Sequence, residues 1–161
     1  MQKLSSFGLD IFLDLKLLDV PNTVKKTVAS IESLKTVKYL TVHTSGGHDM
    51  LKSANEAAKE LELLGVTILT SQSASKEQVL TLANLAIKSG IKGVISSAQE
   101  YESVRSLSKD LKIFCPGIRD EKGNKHDQKR TKSYSEFCDM SKDDSKAVSY
   151  THLRAHETVS H

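Results

Sequence analysis

The stretch FLDLKLLDVPNT, residues 12–23, sets Asp14, Lys16 and Asp19 into what otherwise reads as a buried strand running into a turn. Successive strand side chains point to opposite faces, so Asp14 and Lys16 share the face of Phe12, while Ile11, Leu13 and Leu15 take the other. Taking an acid and a base out of water in a sheet costs several kcal/mol per ion. Two readings account for such a pair, a structural salt bridge or a reacting site, and its place at the C-terminal end of the strand favours the second. Asp19 falls past the strand end beside Pro21, which discourages helix at Val20 and suits a helical first turn. Its structural reading is a helix N-cap.

Outward from this strand the pattern repeats. Short β-rich apolar runs recur at 11–16, 37–43, 65–70, 91–96 and 111–116. Between them, Met50, Ala54, Ala57, Ala58, Leu61 and Leu64, and then Val79, Leu82, Ala83, Ala86 and Ile87, recur at helical spacing on one face. Ser75 with Gln78 and Ser97 with Glu100 match the capping box that opens a helix. Strand ends at Lys16, His43, Thr70 and Ser96 fall 27, 27 and 26 residues apart. Alternating β and α units of even length predict an α/β fold with a parallel sheet, either doubly wound or closed as a barrel. In both, chemistry gathers at the C-terminal ends of the strands.

Composition excludes several classes. The 161 residues suffice for one domain with a core but are short for a closed (β/α)8 barrel, which takes about 250 residues. A net charge of +3 spread along the chain, with few aromatics among the basic residues, argues against a nucleic-acid surface. Cys115 and Cys138 lack metal or disulfide spacing and read as free thiols. No apolar run approaches a membrane span or a leader h-region, so the expected location is cytoplasmic, with no membrane partner. His43 has no neighbouring metal ligands and reads as a packing residue beside the site, and SGG at 45–47 is no phosphate-binding loop. Lys122, Lys125, Lys129 and Arg130 read as a solvated loop that adds positive field.

The opening stretch resembles the DxKxxD motif of the orotidine 5'-phosphate decarboxylase suprafamily. FLDLKLLDVPNTV, TVHTSGG, ILTS, GVISSAQE, PGIR and DQKR stand in the order and approximate spacing of the bacterial orotidine 5'-phosphate decarboxylases. The resemblance covers residues 1–130. It implies a (β/α)8 TIM-barrel family, a homodimer with shared active sites, and cofactor-free conversion of orotidine 5'-phosphate to UMP and CO2. By matching position, Lys16 would deliver a proton to C6 of the pyrimidine, with Asp14 beside the scissile carboxylate and Asp19 reaching into the partner subunit's site. Thr23 would contact ribose across that interface, Thr70 would read the pyrimidine, and Arg119 with Gln128 would hold the phosphate.

The same resemblance implies an incomplete barrel of about five parallel strands, the third to seventh, over residues 1–130. The first two strands, with an acidic ribose contact and a first lysine, and the last strand, with a Gly-Arg phosphate grip, have no counterpart. Residues 131–161 read as a non-matching tail, disordered or artefactual, and VSYTHLRAHETVSH at 148–161 looks like translated sequencing-adapter sequence, with a genuine His-containing tail as the alternative. A non-catalytic truncated fragment is therefore the competing function. A sugar-phosphate lyase or synthase of the same suprafamily, usually dependent on magnesium, ranks third.

Overall fold

In a computed structural model the chain is described over residues 10–118 and 133–150. Its elements run β1 (Ile11–Leu17), α1 (Pro21–Glu32), β2 (Val37–His43), a 3-10 turn (Thr44–Gly46), α2 (Gly47–Ala57), β3 (Glu62–Val66), α3 (Lys76–Lys88), β4 (Gly93–Ile95), α4 (Tyr101–Arg105), β5 (Lys112–Pro116), α5 (Tyr134–Ser141) and β6 (Ala147–Tyr150). The six strands form one sheet in sequence order, and every neighbouring pair is parallel.

That order settles the choice that periodicity leaves open. A doubly wound sheet reverses its strand order and carries helices on both faces, whereas a barrel wall never reverses. Val24, Val28 and Ile31 of α1, Met50, Leu51 and Ala54 of α2, and Val79, Ala83 and Ala86 of α3 are buried in one cluster with Leu40, Val42, Leu63, Val94 and Ile113 of the strands. The opposite face holds a separate cluster of Leu64, Val66, Ile95 and Phe114, with Phe12 and Tyr39 packed on it. The Phe12, Tyr39 and Phe114 rings stand 5.2 to 6.1 Å apart by centroid, as inward side chains filling a barrel do. Helix and strand pack close at Gly65, where a Cβ would sit 2.8 Å from the Thr44 methyl and 3.2 Å from Ala86.

Several expectations are corrected. The even repeat breaks at the third strand, which occupies Glu62–Val66 rather than 65–70, and α2 stops at Ala57. The cause lies in another element: the Glu32 carboxylate at the end of α1 accepts the backbone N–H groups of Lys59, Glu60 and Leu61 at 2.9 to 3.1 Å, turning the chain early. The Ser75–Gln78 capping box forms, whereas Ser97 is not the N-cap of a helix. Ser97 accepts from the Gln99 amide, and Glu100 is itself the N-cap of α4.

Among the described residues the sheet has six strands where about five were expected, and the sixth comes from beyond residue 130. A Ser133–Glu136 capping box starts α5, and Phe137 meets Tyr101 edge-on at 5.7 Å. Asp144 accepts the Tyr101 hydroxyl and pairs with Arg105. Ala147–Tyr150 then pairs with Ile113–Pro116. Residues 151–161 of the adapter-like stretch lie outside the described residues.

Candidate active site

The C-terminal ends of β1 and β2 bring the charged strand together with two side chains of the next. Lys16 Nζ donates to Asp14 Oδ2, forming an ion pair that is partly buried, with 31% and 19% of the two side chains exposed. The Thr41 hydroxyl, fully buried in β2, donates to Asp14 Oδ1 at 2.8 Å and accepts the Lys16 backbone N–H at 2.7 Å. Lys16 has φ of 50°, in the left-handed region, and the β1–β2 register shifts between Leu13 and Leu17. Strict alternation therefore ends before Lys16, and Leu15 is half exposed rather than packed behind the strand.

His43 closes β2 beside this pair. Burial first, and then the Lys16 ammonium, hold its imidazole below the ordinary value, while the Asp14 carboxylate opposes them. A neutral imidazole beside an ammonium is a neighbour of the pair without being an acid at neutral pH. Cys115 is buried in the helix-facing cluster, and burial, aided by the Glu100 carboxylate, pushes its thiol up to about 12, which makes it inert.

Of the other expected residues, Asp19 is exposed, and its Oδ1 accepts the Val20 N–H at 2.6 Å. It is not the N-cap of α1; Val20 occupies that position, ahead of Pro21. Thr23 is exposed on the first turn of α1. Thr70 is half-buried in a turn, four residues past the end of β3 rather than at it. Arg119 and Gln128, with the Lys122–Arg130 loop, lie outside the described residues. Among those described, no group of three or more His, Cys, Asp or Glu could hold a metal ion, and no helix is long and apolar enough to cross a membrane. Sequence reasoning missed Thr41. Its one signal is a hydroxyl between Leu40 and Val42, two residues before a strand end.

Comparison with known proteins matches residues 1–143 to a family described as Orotidine 5'-phosphate decarboxylase / HUMPS. The chain belongs to that family. The match passes the expected boundary at 130. A relative named orotidine 5'-phosphate decarboxylase from Wolbachia pipientis subsp. Culex pipiens is 43% identical, over 89% of this chain and 69% of that protein. One from Ehrlichia canis is 41% identical over 83% and 64%. A solved structure of orotidine 5'-phosphate decarboxylase from Lactobacillus acidophilus superposes with a TM-score of 0.75 at 30% identity, over 93% of this chain and 70% of that one. The chain thus spans roughly two thirds of the length of these decarboxylase family relatives, from 64% to 70%.

Proposed function

We propose that the protein carrying this chain decarboxylates orotidine 5'-phosphate to UMP and CO2 in pyrimidine synthesis, in the cytoplasm and without a cofactor. The observation that carries this reading is the Asp14–Lys16 pair, held at the C-terminal mouth of a barrel wall in a chain of this family. Loss of CO2 leaves negative charge developing on C6. A fixed ammonium at that carbon stabilises the charge in a site that costs no reorganisation, and then supplies the proton. Lys16 takes that role, and Asp14 sits beside the departing carboxylate. Thr70 reads the pyrimidine, and Arg119 with Gln128 holds the phosphate, whose binding far from the reacting carbon orients the substrate.

The protein works as a homodimer in this reading. Asp19 and Thr23, both exposed, serve the partner's site, and the exposed Leu15, Leu18 and Val20 near them in the chain supply the apolar contact. The test is formation of UMP from orotidine 5'-phosphate by the complete reading frame that contains this sequence, with and without EDTA. Turnover that EDTA leaves unchanged is expected. Turnover of a hexulose phosphate in place of orotidine 5'-phosphate, or loss of activity in EDTA, overturns the proposal.

A further inference from the structure

Lys16 has a backbone conformation that residues other than glycine, asparagine and aspartate rarely adopt. A peptide turned this way leaves the strand ladder, and the β1–β2 pairing is indeed irregular between Leu13 and Leu17. The orphaned Lys16 N–H goes to the Thr41 hydroxyl at 2.7 Å. An amide can only donate, so the single hydroxyl proton remains for Asp14 Oδ1, which receives it at 2.8 Å. Asp14 Oδ2 takes the Lys16 ammonium, and the ring closes: Lys16 backbone, Thr41 side chain, Asp14 side chain, Lys16 side chain.

We infer that Thr41 is a positioning residue for the reaction, fixing both the plane of the Asp14 carboxylate and the backbone of Lys16, so that the ammonium is aimed before substrate arrives. The inference rests on the decarboxylase reading above. Thr41 is fully buried, so water does not stand in for its hydroxyl where it lies. Valine has nearly the same shape but leaves the Lys16 N–H and Asp14 Oδ1 without that partner. Both of those residues reach solvent in part, so the chain still folds while the aim of the ammonium loosens. Such a loss belongs to the transition state and not to binding.

In the complete reading frame, Thr41→Val is expected to lower kcat about 10- to 100-fold with KM within about threefold, whereas Thr41→Ser, which keeps the hydroxyl, stays within about threefold of wild type. An unchanged kcat in Thr41→Val, equal losses in both variants, or a loss confined to KM overturns the inference. Should Thr41→Val fail to melt cooperatively, Thr41→Ser against Thr41→Ala decides the same point: equal rates overturn it, and a serine rate about tenfold higher supports it. A wild type that turns over no orotidine 5'-phosphate sinks the functional reading by itself. The positioning ring is then judged by amide exchange at Lys16, where faster exchange in Thr41→Val than in Thr41→Ser upholds it and equal exchange overturns it.

Discussion

At the scale of single residues, the two charges of β1 and the imidazole of β2 form one electrostatic unit. His43 sits below its ordinary value because burial and the Lys16 ammonium disfavour its charged form, with Asp14 acting the other way. A depressed histidine gives stability that is full above the unfolded value near 6.5 and declines as pH falls toward the folded one. Replacing Lys16 by alanine removes a lowering influence and leaves the raising one, so the His43 titration followed by NMR should move up in Lys16→Ala; in Asp14→Asn it should move down. An imidazole that ignores both changes would show that the pair does not face it. In the same Lys16→Ala protein kcat should fall by about 1,000-fold or more with ligand binding largely kept, as removal of a transition-state charge contact requires. The charged pair was legible because an acid and a base two residues apart stand at the C-terminal end of one strand, although strict alternation ends before Lys16. Thr41 was not, since a threonine in a strand reads as ordinary β-propensity, and no glycine or asparagine marks the left-handed turn at Lys16.

At the scale of elements, periodicity located the strands and helices but misplaced β3, because the residue that ends α2's run belongs to α1. Burial raises the Glu32 carboxyl, yet its bonds to the Glu60, Lys59 and Leu61 amides, with the nearby Lys35 charge, outweigh that and leave it below the ordinary value. A contact 27 to 29 residues distant in sequence leaves no local pattern to read. The ionised carboxylate is the better acceptor, so its contribution is present above the unfolded value of 4.5 and is lost as pH falls through the folded one. Glu32→Gln should therefore lose about 1 kcal/mol at neutral pH, or about 3 °C in Tm. Thermal melts of the two proteins should converge in acid. A gap that does not shrink as pH is lowered below 4.5 would mean the charge on Glu32 is not what holds the turn.

At the scale of the whole molecule, strand order was beyond periodicity alone, because alternating β and α units fit an open sheet and a barrel equally well; the family motifs implied the barrel, and the unreversed pairing of β1 through β6 agrees with them. The sixth strand was missed for a related reason: Ala147–Tyr150 is short, and what holds it in place is the distant contact of Asp144 with Tyr101 and Arg105. Pairing between copies is the property one chain cannot display alone. Leu15, Leu18 and Val20 are 50%, 57% and 62% exposed and flank an exposed Asp19 along the chain, the apolar patch that the proposed dimer would cover. In a two-fold dimer that uses this patch, each site combines Lys16 of one subunit with Asp19 of the other. Lys16→Ala and Asp19→Ala proteins, each inactive alone, should then complement when mixed and allowed to exchange subunits, since a heterodimer holds one site with both lesions and one with neither. Random exchange at equal amounts makes half the dimers mixed, so recovery should approach about a quarter of the wild-type rate. Leu18→Asp, which sets a charge into the patch, should shift the protein toward monomer in size exclusion and block that recovery. Exchange verified by mass spectrometry with no return of UMP formation would rule out the shared site and leave Asp19 as a residue of the β1–α1 turn alone.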